Sequence, residues 1–338
     1  MSDLCLLGNG FDLYHGLPCD YYYFGCYLIE HYPDFYAELG RMYDFKVMER
    51  KPISDEIEWA VEYQLFWRYF EERLGKLDPL WLEDSLMDDL GLEYPDDAVD
   101  IEIPEITNAD TIKKYFTEWV TDTLDTDFAM KVIGQKLENK KLEFSQDTYF
   151  VNFNYTSTLG AIYQVSEDQI FYIHGNVHDG TELIVGHGNK DEIYHLKEKI
   201  EEIESETYYL SSQAERNRLN EFKAEKVILK NLQKDTDGLL WRLRSALANK
   251  QFENIYVYGL SCGPVDIPYI KGLRKLYPDV VWHFSYFNES EEEDRKNLAK
   301  DLNLKKNKTE YFSFRNDTAE EIKSEIVDSL KIKEYRKI

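Results

Sequence analysis

The 338-residue chain carries 65 acidic against 40 basic side chains, a formal charge of −25, which argues against a nucleic-acid partner because phosphate backbones are held by Lys/Arg faces that release counterions. Its 43% hydrophobic and 15% aromatic content supplies a full core, yet it has no unbroken apolar run of the roughly twenty residues that a membrane span needs. Four cysteines, Cys5, Cys19, Cys26 and Cys262, have no paired spacing, so free thiols are expected in place of a zinc ribbon or a disulfide framework.

The first apolar stretch, Leu4 to Gly8, has no basic region before it and no small-residue cleavage site after it. It reads as a strand of a cytoplasmic protein and not as a signal peptide. It ends in Gly8-Asn9-Gly10, followed by Phe11 and Asp12. Glycines without Cβ atoms let the chain turn sharply and let a phosphate or ribose approach amides at the next helix N-terminus. Leu13 stands where a full G-x-G-x-x-G fingerprint has its third glycine, so an ordinary tight turn is the other reading. Asp12 either caps the first helix or binds a ribose hydroxyl.

From about Cys26 to Asp147 the pattern is helical and predicts an inserted lobe, residues 26–147. Within it, Ser54 stands as N-cap to a helix with Ile57, Val61, Leu65 and Tyr69 four apart. Glu62 on that helix either faces a pocket or is exposed. The acidic, proline-punctuated run Leu90 to Asp110 reads as a surface loop. Further strands are predicted at Thr148–Phe153, Gln169–Ile173, Leu183–Gly186, Ile255–Gly259 and Val280–Phe284. Residues 190–236 form a charged helical insertion, read as a lid or an oligomer surface. The fold class is α/β: one domain over residues 1–338 with a Rossmann-like, mostly parallel sheet and large helical insertions.

Four turns that follow strands carry the chemistry. After the first comes the glycine loop. After the second, Asn152, Asn154, Tyr155, Thr156 and Ser157 gather polar groups, with Asn154 poised between a ligand role and a helix cap, and Thr156 or Ser157 suited to capping. After the third, His174-Gly175-Asn176 puts an imidazole at a strand's carboxyl end, where parallel sheets bind ligands. His178 reads as a polar loop residue and His187 as a pocket-lining one; three histidines this close invite a metal, but their spacing fits no ligand pattern, and none is expected. After the strand ending at Gly259, Ser261 lies outside any G-x-S-x-G elbow, and Asp266 either caps a helix or binds a hydroxyl.

Together, "LLGNGFDLYHGLP", "FNYT", "IHGNVHDG" with "VGHGN", and "VYGLSCGPVDIPY" resemble the AbiH family of bacteriophage abortive-infection proteins over about Leu4 to Tyr269. The resemblance implies an antiphage role in which infected cells stop growing or die, set off by an unknown phage trigger. The same order of elements is similar, more remotely, to sirtuin-like domains of defence NAD hydrolases. That resemblance implies NAD as substrate or ligand, with Asn154 and His174 as catalytic residues. It matches Gly8 and Gly10 to the glycine loop and Ser261 and Asp266 to a late nucleotide-contact segment; Asn9, Phe11, Asp12, Tyr155, Gly175, Asn176, His187 and Gly259, on the same strand-end turns, are read as further dinucleotide-binding candidates. Asn9 and Phe11-Asp12 depart from the Ala and Ser of that glycine loop, Thr156 stands where Asp often follows, and the four-cysteine zinc module is absent. The alternative is a protein that binds or senses an ADP-ribose-like nucleotide without hydrolysing it.

Overall fold

Strand β1 (Ser2–Leu7) is buried from Leu4 to Leu7, as a strand flanked on both sides in a doubly covered sheet must be. In the computed structural model, which describes residues 2–51, 54, 56–82, 109–138, 140–178, 180, 182–206 and 213–338, β1 pairs in parallel with β4 (Tyr149–Asn152) on one side and β6 (Phe252–Tyr258) on the other. Strand β5 (Ile170–Tyr172) extends the first side, and β7 (Val281–Tyr286) and β8 (Thr309–Ser313) extend the second. The six-stranded order β5-β4-β1-β6-β7-β8 is parallel throughout. The sheet therefore grows first to one side of β1 and then to the other, as in a Rossmann fold, and the reversal falls between β1 and β6.

Alternation sets the two faces of this sheet. Leu4, Leu6, Val151, Ile255, Val257, Trp282 and Phe284 pack with helix residues Leu239, Leu243, Ile270 and Leu273. Cys5, Leu7 and Phe150 face the other way, against Phe11 and Leu159. Each fully buried side chain of this size contributes about 1.5–3 kcal/mol. These elements belong to the first of two compact units, residues 1–20, 117–184 and 235–332; the second comprises residues 21–116, 185–234 and 333–338.

The second unit has its own small sheet. Strand β3 (Ile57–Val61) pairs antiparallel with β2 (Met48–Arg50) and parallel with β9 (Arg336–Lys337). The helix expected from Ser54 is thus a strand over Ile57–Val61, followed by a 3-10 turn at Trp67–Tyr69 and a short helix at Phe70–Arg73. Its apolar residues satisfied a helical spacing, but β-branched and aromatic residues fit a ladder equally well once partner strands are at hand. Ser54 Oγ accepts from the Glu56 amide at 3.4 Å, and Glu62 accepts from the Lys46 amide at 2.7 Å. Phe24, Trp67, Phe70 and Phe116 interlock with ring centroids 5.3–5.8 Å apart. The charged insertion forms helices Lys190–Glu206 and Gln213–Asn231, bridged by Lys223 and Glu204 at 2.8 Å.

Leu183–Gly186 is not a strand: its Ile184 amide donates to the His174 carbonyl at 2.9 Å without a continuing ladder. Conversely, β8 was not anticipated. The surface-loop expectation at 90–110 lies outside the described residues except for its last two. Among the described residues no helix is long and apolar enough to cross a membrane.

Candidate functional site

The loops leaving the carboxyl ends of β1, β4, β5 and β6 all lie in the first unit, on the edge of the sheet where open α/β folds bind ligands. What approaches the Gly8-Asn9-Gly10 backbone there is another stretch of backbone. Gly8 N–H donates to Tyr258 O at 3.0 Å and Gly10 N–H to Gly259 O at 2.8 Å, while Phe11 N–H returns to Gly8 O at 2.8 Å. A Cβ on Gly10 would stand 2.7 Å from Gly259 Cα, and one on Gly8 would stand 2.4 Å from Leu260 Cα. Gly259 adopts φ +60°, a conformation that disfavours a side chain. The glycines let β1 and β6 close on one another at the switch point, and the amides of Gly8, Gly10 and Phe11 are engaged there. Asn9 is exposed, and its carbonyl faces Cys19 Sγ at 3.7 Å. Phe11 is core, its ring 4.5 Å from that of His15.

Asp12 is buried on helix α1 (Asn9–Tyr14) and does not cap it; Gly8 holds the N-cap position. Its carboxylate accepts from Thr156 Oγ1 at 2.6 Å and Thr158 Oγ1 at 2.9 Å. Burial pushes this carboxyl up to about 7, opposed by the two hydroxyl bonds, with the Asp125 charge adding to the rise. The β4 turn is therefore tied to the first helix through a carboxyl able to gain or lose a proton near neutrality. His15, one turn on, is fully buried; its Nδ1 meets Phe11 O at 2.6 Å and its Nε2 meets Tyr163 Oη at 2.7 Å. Burial lowers it to about 4.

Asn154 is buried and fixed at both ends. Its N–H donates to Asn152 Oδ1 at 3.0 Å and its Nδ2 to Gly8 O at 3.0 Å, which links the second polar turn directly to the glycine loop. Tyr155 lies parallel to the His174 ring at 5.9 Å between centroids and donates its hydroxyl to Ile184 O at 3.1 Å. His174 is buried with Nδ1 3.2 Å from Phe153 O. A carbonyl can only accept, so this nitrogen carries the proton and Nε2 is the basic one in the neutral ring. Gly175 leads to Asn176, whose Oδ1 accepts the His178 amide at 2.8 Å.

On the β6 side, Ser261 donates to Asp266 Oδ2 at 2.8 Å and accepts the Gly263 amide at 3.2 Å. Asp266 occupies the N-cap position of helix Ile267–Leu276 without capping it by its side chain. The sequence reading passed over Arg295, whose guanidinium donates to the carbonyls of Leu260 at 2.7 Å, Ser261 at 2.6 Å and Ser285 at 3.3 Å. Ser285 Oγ in turn accepts the Gly259 amide at 2.8 Å. It also passed over Asp125, which gathers Ser157 and His178; neither residue sits in a motif, and only the folded chain brings them to the edge.

The structure thus brings Gly8, Gly10, Asp12, Asn154 and Gly259 into one bonded network, with His174, Tyr155 and Asn176 on the turns beside it and Ser261 and Asp266 on the β6 turn. His187 belongs to the second unit. There its Nδ1 accepts the Asn189 amide at 3.1 Å and its Nε2 donates to Leu229 O at 2.8 Å, so both ring nitrogens are used. No three His, Cys, Asp or Glu side chains gather to hold a metal among the described residues.

A family model described as bacteriophage abortive infection AbiH matches residues 4–286. No curated protein and no solved structure matches the chain.

Proposed function

Because the chain belongs to the bacteriophage abortive infection AbiH family, we propose that it is an antiphage effector that hydrolyses the nicotinamide–ribose bond of NAD at the carboxyl edge of its parallel sheet. The observation that carries the reading is the Asn154 amide, buried and aimed by its bond to Gly8 O at the sheet's switch point, with the His174 imidazole on the adjoining turn.

The leaving group departs from a cationic pyridinium and needs little acid help, whereas the ribosyl transition state resembles an oxocarbenium ion and needs shielding and placement. With its Nδ2 committed to Gly8, Asn154 offers Oδ1 to a ribose hydroxyl or to the attacking water. His174 Nε2 takes a proton from a ribose hydroxyl or from water. Asp12 fixes the β4 turn by its two threonine bonds and so holds Asn154 in register with the glycine loop. A sensor that binds an ADP-ribose-like nucleotide without turnover is the second reading, favoured by the Gly10–Gly259 crossing, which would pass a ligand's presence from one loop to the other.

The test is chromatography of nucleotides after incubating the full chain with NAD, alone and with extract of phage-infected cells. Asn154→Ala and His174→Ala should each lower turnover about 10²–10⁴-fold with the melting transition retained. NAD left intact by the wild type under both conditions would overturn the hydrolase; nucleotide retained without cleavage would favour the sensor.

A further inference from the structure

Residues 333–338 form an extended segment along the β3 edge of the small sheet in the second unit. Arg336 and Lys337 pair with Ala60 and Val61, Ile338 N–H donates to Val61 O, and Tyr63 N–H donates to Ile338 O, the last two bonds both at 2.9 Å. Two paired residues make a short strand where about five or six are usual. None of the six side chains from Lys333 to Ile338 is buried, so the segment adds little to the core it covers. The edge itself has other supports. Strand β3 is laddered to β2, Ala60 N–H donates to Val47 O at 3.0 Å, and Tyr36 Oη donates to Ala60 O at 2.7 Å. The side chains around the edge select by charge and by aromatic contact. Glu30, on helix Tyr21–His31, takes Lys333 Nζ at 3.3 Å and the Tyr335 hydroxyl at 2.9 Å. Glu49 faces Arg336 Nε at 2.9 Å, with Lys46 Nζ at 4.0 Å. The Lys337 ammonium lies 4.0 Å from the Tyr22 ring centre and 4.6 Å from that of Tyr63, a cation–π arrangement. Tyr22 Oη donates to Tyr335 O at 2.5 Å and Tyr23 Oη to Glu334 Oε1 at 2.9 Å.

We propose that this edge of β3 is a strand-addition site for an extended peptide of a partner protein, one with an aromatic residue followed by two basic residues, and that residues 333–338 occupy it as a tethered competitor. Strand addition draws its affinity from main-chain bonds and its specificity from the groups that meet alternate side chains, and both kinds of contact are present here. The acceptor stays formed while the occupant is lightly held: ion pairs as exposed as Lys333–Glu30 and Arg336–Glu49 contribute little each. Glu30, Glu49 and the faces of Tyr22 and Tyr63 reward a cationic peptide, and the charge of −25 draws one in while repelling an acidic one. Tethering gives residues 333–338 an effective concentration on the order of millimolar, which sets the affinity a partner must exceed.

Fluorescence anisotropy of a labelled peptide with the sequence of Lys333–Ile338 tests the site. A chain stopped at Ile332 should bind it saturably, and about tenfold or more weakly when the peptide carries Glu in place of both Arg336 and Lys337. Glu49→Lys in the stopped chain should weaken the native peptide and be rescued by a peptide with Glu in place of Arg336 alone. The full wild-type chain should bind the native peptide at least about tenfold more weakly than the stopped chain, since its own segment competes. The full-chain double variant Arg336→Glu, Lys337→Glu should regain binding and lose hydrogen-exchange protection at Tyr63 and Ile338. A stopped chain that keeps its melting transition and ignores the native peptide, or takes the charge-reversed one equally well, overturns the proposal. So does a stopped chain that no longer melts cooperatively, because the segment is then part of the fold and not an occupant of it. A wild-type dimer that the double variant splits into monomers on size-exclusion chromatography gives the edge to a second copy's segment and overturns the foreign peptide.

Discussion

Asp12 and His15 lie on the same short stretch and are shifted in opposite directions by the same burial. Between its ordinary 3.8 and about 7, folded Asp12 keeps a proton that the unfolded chain has lost, so its contribution to stability falls as pH rises through that window and levels off above it. His15 refuses a proton that the unfolded chain accepts between 6.5 and about 4, so its contribution is lost as pH falls through that range. The two slopes oppose one another between about 4 and 6.5. Asp12→Asn removes the first, and its urea midpoint relative to wild type should be higher at pH 8 than at pH 5; parallel midpoints would count against the raised carboxyl. Gly259→Ala should be severe, because its Cβ would stand 2.3 Å from Gly10 C at φ +60°. A loss of roughly 3 kcal/mol or more is expected from overpacking and backbone strain combined, read as a drop in the thermal midpoint.

At the scale of elements, the turn after β6 is held from below by helix Glu289–Asp301 through Arg295, which has no carboxylate at ion-pair distance among the described residues and spends its charge on three carbonyls. Arg295→Met should cost roughly 2–4 kcal/mol by stranding those carbonyls and raise hydrogen exchange at Gly259 and Gly10, whereas Arg295→Lys should recover part of the protection. The strands β1, β4, β5, β6 and β7 were legible because each is a short apolar run closed by turn residues. Strand β8, "TEYFS", follows a Lys/Asn stretch and is half-exposed at the sheet's edge, so it has no such run. Ile57, Val61, Leu65 and Tyr69 satisfied a four-residue spacing by coincidence; the partners that make Ile57–Val61 a strand lie at Met48–Arg50 and, far off in sequence, at Arg336–Lys337. The polar turns were legible from their composition. Which of their atoms were already committed was not, since Asn154 to Gly8, Asp12 to Thr156 and Asp125 to His178 are pairings made only by the tertiary fold.

For the whole molecule, a charge of −25 repels an anionic dinucleotide as it would a phosphate backbone. Screening by salt weakens that repulsion. Under the proposed hydrolase reading, the apparent KM for NAD should therefore fall as ionic strength rises from about 10 mM to about 150 mM, the opposite of what a basic binding face would give; a KM that climbs with salt would point to a local positive site. The crossing of Gly10 and Gly259 bears on how such a site behaves once occupied. Two loops far apart in sequence touch main chain to main chain, with no side chain between them to absorb a displacement. A molecule seated against either one therefore moves its neighbour, and the edge answers as a single mechanical piece.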